Sequence, residues 1–173
     1  MISKRPTLLP DSVERAKWIA LTQGYFALID EEDYESVSKN LWTTLVRKNP
    51  YSAYAFRVIK NRPLYLHRFV MNPPSNMDID HIDGNGLNCR KENLRICTHG
   101  SNMHNYTKPN GEFSSQHKGV TWDKSRDKWL ASIKIKGKRV FLGRYDLEIV
   151  AAQAYNSAAL RLFGEFAKIN IIH

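Results

Sequence analysis

The stretch that decides the fold is Asp80-His81-Ile82-Asp83-Gly84-Asn85, followed by Glu92-Asn93-Leu94-Arg95 and then by Asn102. His81 and Asn93 are 12 residues apart, and Asn102 follows 9 residues later. These spacings predict a β-hairpin that is followed by the first turns of a helix. The Asp-Gly and Gly-Asn pairs are common in turns and alone would indicate only a tight hairpin or loop. The ordered set of histidine, carboxylate and asparagine therefore carries the functional argument.

The polar residues of this stretch suit the hydrolysis of a phosphodiester. That reaction needs a water molecule that loses a proton, and a neutral imidazole, with an unperturbed pKa of about 6.5, suits the task near neutral pH. His81 is therefore the candidate general base. A divalent cation can neutralise the charge that gathers on the phosphate and on the leaving oxygen. Asp80 and Asn102 offer hard oxygen ligands, which favour Mg²⁺ or Mn²⁺, one ion per active site, completed by water and phosphate oxygens.

These residues resemble the ββα-metal motif of the HNH endonucleases from about Leu64 to Tyr106. In that family an asparagine of the loop hydrogen-bonds to the backbone and holds the hairpin, and Asn93 matches its place. An HNH remnant that has lost its activity is the alternative. The site residues that the resemblance implies are catalytic His81, Asn93 and His67, and metal-binding Asp80 and Asn102.

The other histidines of this region leave alternatives open. A Leu-His-Arg segment precedes the active-site hairpin in HNH relatives, which implies that His67 helps to shape the site. A histidine packed between apolar neighbours explains His67 equally well. His99 and His104 flank Asn102, and His104 could fall near the metal, although most histidines at such places are solvated.

The composition indicates a polyanionic partner. Lysine and arginine total 26 and aspartate and glutamate 17, which gives a net charge of +9. Such an excess steers a protein toward nucleic acid and releases counterions on binding. The apolar stretches are too short to span a bilayer, and Met1–Pro6 precedes no apolar signal region. We therefore expect double-stranded DNA as the partner, a cytoplasmic protein, no membrane and no small-molecule cofactor.

The two cysteines argue against a structural zinc site. Cys89 and Cys97 are too few for a zinc ribbon or a disulfide framework. We expect both to be reduced and to act as small apolar fillers.

The chain divides by pattern into an N-terminal α+β region at 1–63, the nuclease motif at 64–106, a linker at 107–116 and a C-terminal domain at 117–173. Strand-like segments are predicted at Gly24–Ile29, Leu41–Val46 and Ser52–Ile59, with an acidic helical stretch that begins at Asp30. No linker separates the first two regions, so we expect them to share one core. The linker is rich in Pro, Gly, Ser and Asn.

The C-terminal domain is predicted to contain three strands and one helix. The strands are expected at His117–Trp122, Lys128–Lys136 and Lys138–Tyr145, with a tight turn at Lys136-Gly137-Lys138. A helix is expected over Leu147–Phe163, with Asp146 as its N-cap and Gly164 after its C-terminal end. Its alanines would let the helix lie close to the sheet.

This domain resembles the AP2 DNA-binding domain over about 55 residues. The segments that carry the resemblance are Lys118-Gly119-Val120, Lys128–Ile133, Arg139–Tyr145 and Ala151–Asn156. In that family the three-stranded sheet lies in the major groove, which implies that DNA is contacted by Lys118, Thr121, Trp129, Ser132, Lys134, Arg139, Phe141 and Arg144. The sequence departs from the family in that Lys118 and Thr121 replace frequent arginines, Ser132 a frequent glutamate and Phe141 a frequent tryptophan. Family target sequences therefore do not transfer. Alternatively, the basic and aromatic residues form one wet and one buried face, with Trp129 in the core.

The combined prediction is an α+β protein: a small N-terminal α/β unit merged with a ββα-metal HNH motif, then an AP2-like three-stranded antiparallel sheet with one helix. The combination resembles the homing endonucleases of phages and prophages. The chain has one catalytic set, so a monomer is expected to cut one DNA strand per binding event. We expect the protein to be a monomer or a weak dimer. The rival functions are a non-catalytic AP2 regulator with an inert HNH remnant, and an HNH nuclease that acts on RNA or on DNA with little specificity.

Overall fold

The structure is a computed structural model, which describes residues 14–22, 24–46, 53–103, 105 and 112–172. His104 and residues 107–111, the first half of the predicted linker, lie outside the described residues. Internal contacts divide the chain into two compact units, Met1–Thr98 and His99–His173, which are treated separately. None of the helices within the described ranges is long and apolar enough to cross a membrane.

The described residues of the first unit form three small antiparallel sheets and two short helices. One sheet pairs β1 with β2, the second has the order β3-β4-β5, and the third pairs β6 with β7. The strands are β1 (Ala16–Ala20), β2 (Phe26–Asp30), β3 (Thr43–Val46), β4 (Ala53–Ile59), β5 (Arg62–Tyr65), β6 (Asp78–His81) and β7 (Leu94–Cys97). The helices are α1 (Tyr34–Ser38) and α2 (Leu66–Met71), and 3-10 turns cover Glu31–Asp33 and Lys91–Asn93.

One hydrophobic core serves both the N-terminal region and the nuclease motif. Trp42 is fully buried at its centre, and the Trp42 Nε1–H donates to the Val37 carbonyl at 3.0 Å. Core residues come from β1 and β2, from α1 and α2, and from both strands of the motif. The core comprises Ile19, Leu21, Ala27, Ile29, Val37, Trp42, Ala55, Leu66, Ile79, Cys89 and Leu94. The two regions that no linker separates in the sequence thus share a continuous core, as predicted.

The loop between β6 and β7 is fixed onto β2. The Leu28 amide donates to the Leu87 carbonyl at 2.8 Å, and the Cys89 amide donates to the Leu28 carbonyl at 2.7 Å. Cys89 and Cys97 are both buried free thiols, and burial raises the pKa of Cys89 to about 12. Both cysteines therefore pack as small buried side chains, and Cys89 stays in the neutral form.

The second unit is a three-stranded antiparallel sheet covered by one helix, with the strand order β10-β9-β8. Small residues on the helix allow a close approach, and Ala151, Ala152, Ala158 and Ala159 are all buried. They pack against Val120, Ala131 and Ile133 of the sheet and beside Tyr155 of the helix. The elements are α3 (His99–Asn102), β8 (Val120–Asp123), β9 (Lys128–Ile135), β10 (Lys138–Tyr145) and α4 (Glu148–Phe163), followed by a 3-10 turn at Gly164–Phe166.

The predicted N-cap of the long helix is wrong. α4 begins at Glu148, and Leu147, in an extended conformation, is the N-cap without a side-chain cap bond. Asp146 instead forms an ion pair with Lys128 of β9. Gly164 does end the helix, with φ +55°, as the sequence predicts. The sequence prediction also omitted β1 and placed the acidic helical stretch one residue early, since the 3-10 turn begins at Glu31.

Candidate active site

His81 is the last residue of β6 and lies in a cluster of aromatic rings. It pairs with Leu94 of β7, and only 5% of its surface is exposed. The His81 ring centroid is 5.1 Å from that of His67 on α2 and 5.8 Å from that of Tyr54 on β4. Tyr65 stacks on His67 at 5.4 Å. The cluster fixes the plane of the candidate base from two sides, and Tyr54 was not among the predicted site residues.

Gly86 allows the motif loop to lie against Tyr54. A Cβ atom at residue 86 would stand 2.4 Å from the Ala53 carbonyl oxygen and 2.5 Å from Cδ1 of Tyr54. Such distances do not occur between nonbonded atoms, so glycine is required here by space. The loop, Tyr54 and His81 are therefore packed as one set.

Both imidazoles of the cluster are neutral at neutral pH. Burial lowers the pKa of His81 to about 4, against a smaller opposite effect of Asp83 and Asp80. Burial, with smaller contributions from His81 and Arg68, lowers the pKa of His67 to about 3. Nδ1 of His67 is buried and has no hydrogen-bond partner among the described residues. A neutral His81 is in the form that can accept a proton.

Asn93 holds the loop that follows His81. Its Oδ1 accepts from the Asp83 amide at 3.0 Å, and its Nδ2 donates to the Asp83 carboxylate at 3.0 Å and to the Asn88 carbonyl at 2.8 Å. The Asp83 carboxylate also accepts from the Asn85 amide at 2.7 Å and from the Asn88 side chain at 2.8 Å. One buried amide and one carboxylate thus organise the loop, and Asp83 was not among the predicted site residues.

Asp80 is held by Arg95, directly opposite on β7. The Arg95 guanidinium donates to Asp80 Oδ2 from Nε at 2.8 Å and from Nη2 at 2.6 Å. The side chains are only 5% and 13% exposed, so this is a buried ion pair. Arg95 was not among the residues that the sequence predicted for the site. Its position becomes informative only through the register, in which Asp80 pairs with Arg95.

The predicted metal ligands are one carboxylate and one amide. Asp80 belongs to the first unit, whereas Asn102 ends α3 and is counted with the second. Within the described ranges, no three His, Cys, Asp or Glu side chains come together as a metal site. Hard oxygen donors such as Asp80 and Asn102 fit Mg²⁺ or Mn²⁺ by their chemistry. Their ligand role therefore stays a prediction.

The second unit has an open face, which we define as the side of the sheet away from α4. Pairing across β9 and β10 joins Lys134 to Arg139, Ser132 to Phe141 and Leu130 to Arg144. Side chains of paired residues project to the same face. Six predicted DNA-contact residues belong to this face: Thr121, Ser132, Lys134, Arg139, Phe141 and Arg144.

The other two predicted contact residues lie elsewhere in the second unit. Trp129 is on the helix side, where it packs against the hydrophobic core and edge to face with Trp122 at 4.9 Å. Lys118 precedes β8, and its amide donates to the Asn170 side chain at 2.6 Å. Burial and the nearby Lys168 lower the pKa of Lys118 to about 8. Asp123, absent from the predicted set, forms an ion pair with Arg144 on the open face.

Comparison with known proteins agrees with the motif. A family model described as HNH endonuclease matches residues 71–104. An uncharacterised HNH endonuclease of Acanthamoeba polyphaga mimivirus is 33% identical over 162 residues, which cover 94% of this chain and 83% of that protein. The chain belongs to the HNH endonuclease family. Protein 3.8 of Escherichia phage T7 is 36% identical over 95 residues, which cover 55% of this HNH chain and 77% of that protein.

About a third of this HNH chain is similar to plant AP2-like proteins. The AP2-like ethylene-responsive transcription factor TOE2 of Arabidopsis thaliana is 41% identical over 59 residues, which cover 34% of the chain and 12% of that protein. APETALA2-like protein 2 of Oryza sativa subsp. indica is 42% identical over 57 residues, 33% of the chain and 13% of that protein. The similarity thus covers a third of the chain and indicates an AP2-like domain. No solved structure matches the chain.

The buried neutral histidines predict an acid-sensitive first unit. The folded pKa values of His67 and His81 lie below 6.5, so the unfolded chain takes up protons first as the pH falls. This contribution to stability is complete above pH 6.5 and is lost below it, by about 2 kcal/mol per histidine at pH 5. We expect His67→Gln to reduce the loss between pH 7 and pH 5 by about 2 kcal/mol. Urea unfolding of both proteins at the two pH values measures it, and equal losses would contradict the assignment.

Proposed function

We propose that this protein is a site-specific, homing-type DNA endonuclease that hydrolyses phosphodiester bonds of double-stranded DNA. The observation that carries the proposal is the neutral His81 imidazole at the end of β6, packed against Tyr54 and His67 and followed by the loop that Asn93 holds. Membership in the HNH endonuclease family supports the nuclease class. The similarity of the second unit to AP2-like proteins supports DNA as the partner.

In the proposed reaction His81 takes the proton from the attacking water. Burial disfavours the imidazolium in the protein alone. A phosphate anion beside the ring would stabilise the imidazolium and raise the pKa of His81 toward the working pH. Tyr54 and His67 keep the ring in one orientation, which lowers the entropic part of the barrier. In this proposal Asn93 keeps the loop in place and His67 acts on the reaction through His81.

Asp80 and Asn102 are the proposed ligands of one Mg²⁺ or Mn²⁺ ion. A bound divalent cation would neutralise charge that develops on the scissile phosphate. Arg95 fixes the Asp80 carboxylate through Oδ2, and a carboxylate has further lone pairs for a second contact. The assignment of Asn102 rests on the order of residues in the motif.

The open face of the second unit is the proposed DNA reader. Lys134 and Arg139 pair across β9 and β10 and are both exposed. Exposed cations on one sheet suit the phosphate backbone, whereas the deep major groove of A-form RNA excludes a sheet. A monomer or weak dimer with one catalytic set would cut one strand per binding event. A double-strand break then requires a dimer or a second encounter.

A plasmid-library assay tests the proposal. We expect a supercoiled library to be nicked at a recurring sequence in Mg²⁺ or Mn²⁺, and cleavage to stop in excess EDTA. Asp80→Ala protein, with duplex binding measured in parallel, is the control for a contaminating nuclease. Mapped ends without a common sequence would show that cleavage is not site-specific. Undiminished cutting in excess EDTA would show that cleavage does not require a divalent metal ion.

The second candidate function is a DNA-binding regulator with an inert HNH motif. The similarity to transcription factors over a third of the chain favours it. Specific duplex binding without cleavage in any divalent metal would establish this alternative.

A further inference from the structure

Three side chains of the open face form a connected group. Arg144 Nε is 2.8 Å from Asp123 Oδ2, and the Arg144 guanidinium carbon is 5.0 Å from the centroid of the Phe141 ring. The Asp123 side chain is only 14% exposed, whereas Phe141 is 54% exposed. The guanidinium is thus bonded to a half-buried carboxylate on one edge and lies over an exposed aromatic ring. We call these three residues the arginine clamp.

A β-bulge places Phe141 and Arg144 on the same face. Residues three apart on a regular strand project to opposite faces. In β10 the register shifts between Phe141 and Gly143, so Phe141 pairs with Ser132 and Arg144 with Leu130. Gly143 has φ +144°, and a Cβ atom there would lie 2.7 Å from the Tyr145 hydroxyl. The bulge therefore re-aims Arg144, a common use of bulges beside functional sites.

Asp123 is itself held in place. Its Oδ1 accepts from the Ser125 amide at 3.1 Å and from the Ser125 hydroxyl at 2.7 Å. Hydrogen bonds from Ser125 and Arg144 lower the pKa of Asp123 to about 2, so the carboxylate is charged at neutral pH. The clamp therefore consists of a fixed anion and a fixed cation, and their charges cancel. Arg126 also approaches Asp123 Oδ2, but only to 3.7 Å, and its side chain is 60% exposed, so solvent screens its charge.

This cancellation decides which DNA group suits Arg144. A phosphate would meet the Asp123 carboxylate as well as the guanidinium, and repulsion from the carboxylate opposes its binding. A base edge is neutral and needs oriented donors rather than net charge. Asp123 uses the Nε–H, and the two terminal amino groups carry the other four donors of a guanidinium. Two such donors match O6 and N7 of guanine in the major groove.

We propose that Asp123 and Phe141 are positioning residues that hold Arg144 to read a guanine base rather than a phosphate. This inference rests on the proposed function of the open face as the DNA reader. The inference assigns two different roles to the cationic side chains of this sheet. Lys134 and Arg139 would supply affinity through phosphates, and the arginine clamp would supply sequence preference.

Selection from a randomised duplex library, followed by binding isotherms in a salt series, tests the inference with full-length protein. The wild type should prefer guanine at one position by about 5- to 150-fold over other bases. Arg144→Gln and Asp123→Asn should abolish that preference. Arg144→Gln should leave the salt slope of log K nearly unchanged, whereas Lys134→Ala should reduce it by about 1. Asp146→Asn, which adds the same charge outside the clamp, should keep the guanine preference.

Each other outcome points to a different failure. A reduction of the slope by about 1 in Arg144→Gln, with base preference kept, would make Arg144 a phosphate contact and overturn the inference. A guanine preference that survives Asp123→Asn would remove the positioning role. An unchanged slope and affinity in both Lys134→Ala and Arg139→Ala would show that the open face is not the DNA reader. In that case the proposed function of the sheet fails, and the inference falls with it.

Discussion

Replacement of His81 by alanine should lower the rate of DNA cleavage by about 10²- to 10⁴-fold and leave duplex binding nearly unchanged. The substitution removes the proposed base, while Asp80 keeps its bond to Arg95 and Asn93 keeps the loop. The proposed DNA contacts of the open face do not include a residue of β6. The measurement is the single-turnover cleavage rate on a mapped site at saturating Mg²⁺, with a binding isotherm on the same duplex.

His117→Ala is the matched control, because His117 lies outside the motif and the proposed contact set. It should cleave at the wild-type rate. A His81→Ala protein that cleaves as fast as the wild type would remove His81 from the mechanism. A loss of binding that parallels the loss of cleavage would instead indicate that the substitution disturbs the fold.

The sequence points to candidate site residues through their own chemistry, and the roles of base and metal ligand stay predictions. His81, Asn93 and Asp80 could be selected because a base, a loop anchor and an oxygen ligand need particular side chains in a particular order. Arg95 and Tyr54 could not be selected in this way. Arg95 matters through strand register, and the 12-residue spacing of His81 and Asn93 does not determine which residue of β7 faces Asp80. Tyr54 reaches His81 from another sheet, a contact that sequence spacing does not encode.

The second unit shows the same limit. Turn residues and alternation predicted its three strands and one helix, since Lys136-Gly137 favours a tight turn and Gly164 ends the helix at φ +55°. Strict alternation, however, would separate Phe141 from Arg144, and one bulge reverses that result. The prediction of Asp146 as the N-cap of α4 is wrong for a related reason. Asp146 is a favourable capping residue in isolation, but its carboxylate pairs with Lys128 across the sheet.

Replacement of Arg95 by methionine should lower the free energy of unfolding by about 3–5 kcal/mol, because it leaves the Asp80 carboxylate buried without its cation. Methionine keeps an unbranched apolar stem of similar reach, so the loss reports mainly on charge. The experiment is urea unfolding at pH 7 without divalent cations. Lys39→Met is the matched control, since its ion pair with Glu35 is exposed on both sides. That variant should lose no more than about 0.5 kcal/mol.

The double variant Asp80→Asn/Arg95→Met separates the buried charge from packing. An uncharged amide on β6 no longer needs the guanidinium, so the double variant should recover most of the stability that Arg95→Met loses. If the double variant is as unstable as Arg95→Met alone, the loss comes from the packing of the arginine stem. If Arg95→Met costs no more than Lys39→Met, the Asp80 carboxylate is not held as a buried ion. Its proposed place beside His81 as a fixed, charged metal ligand would then lose its physical basis.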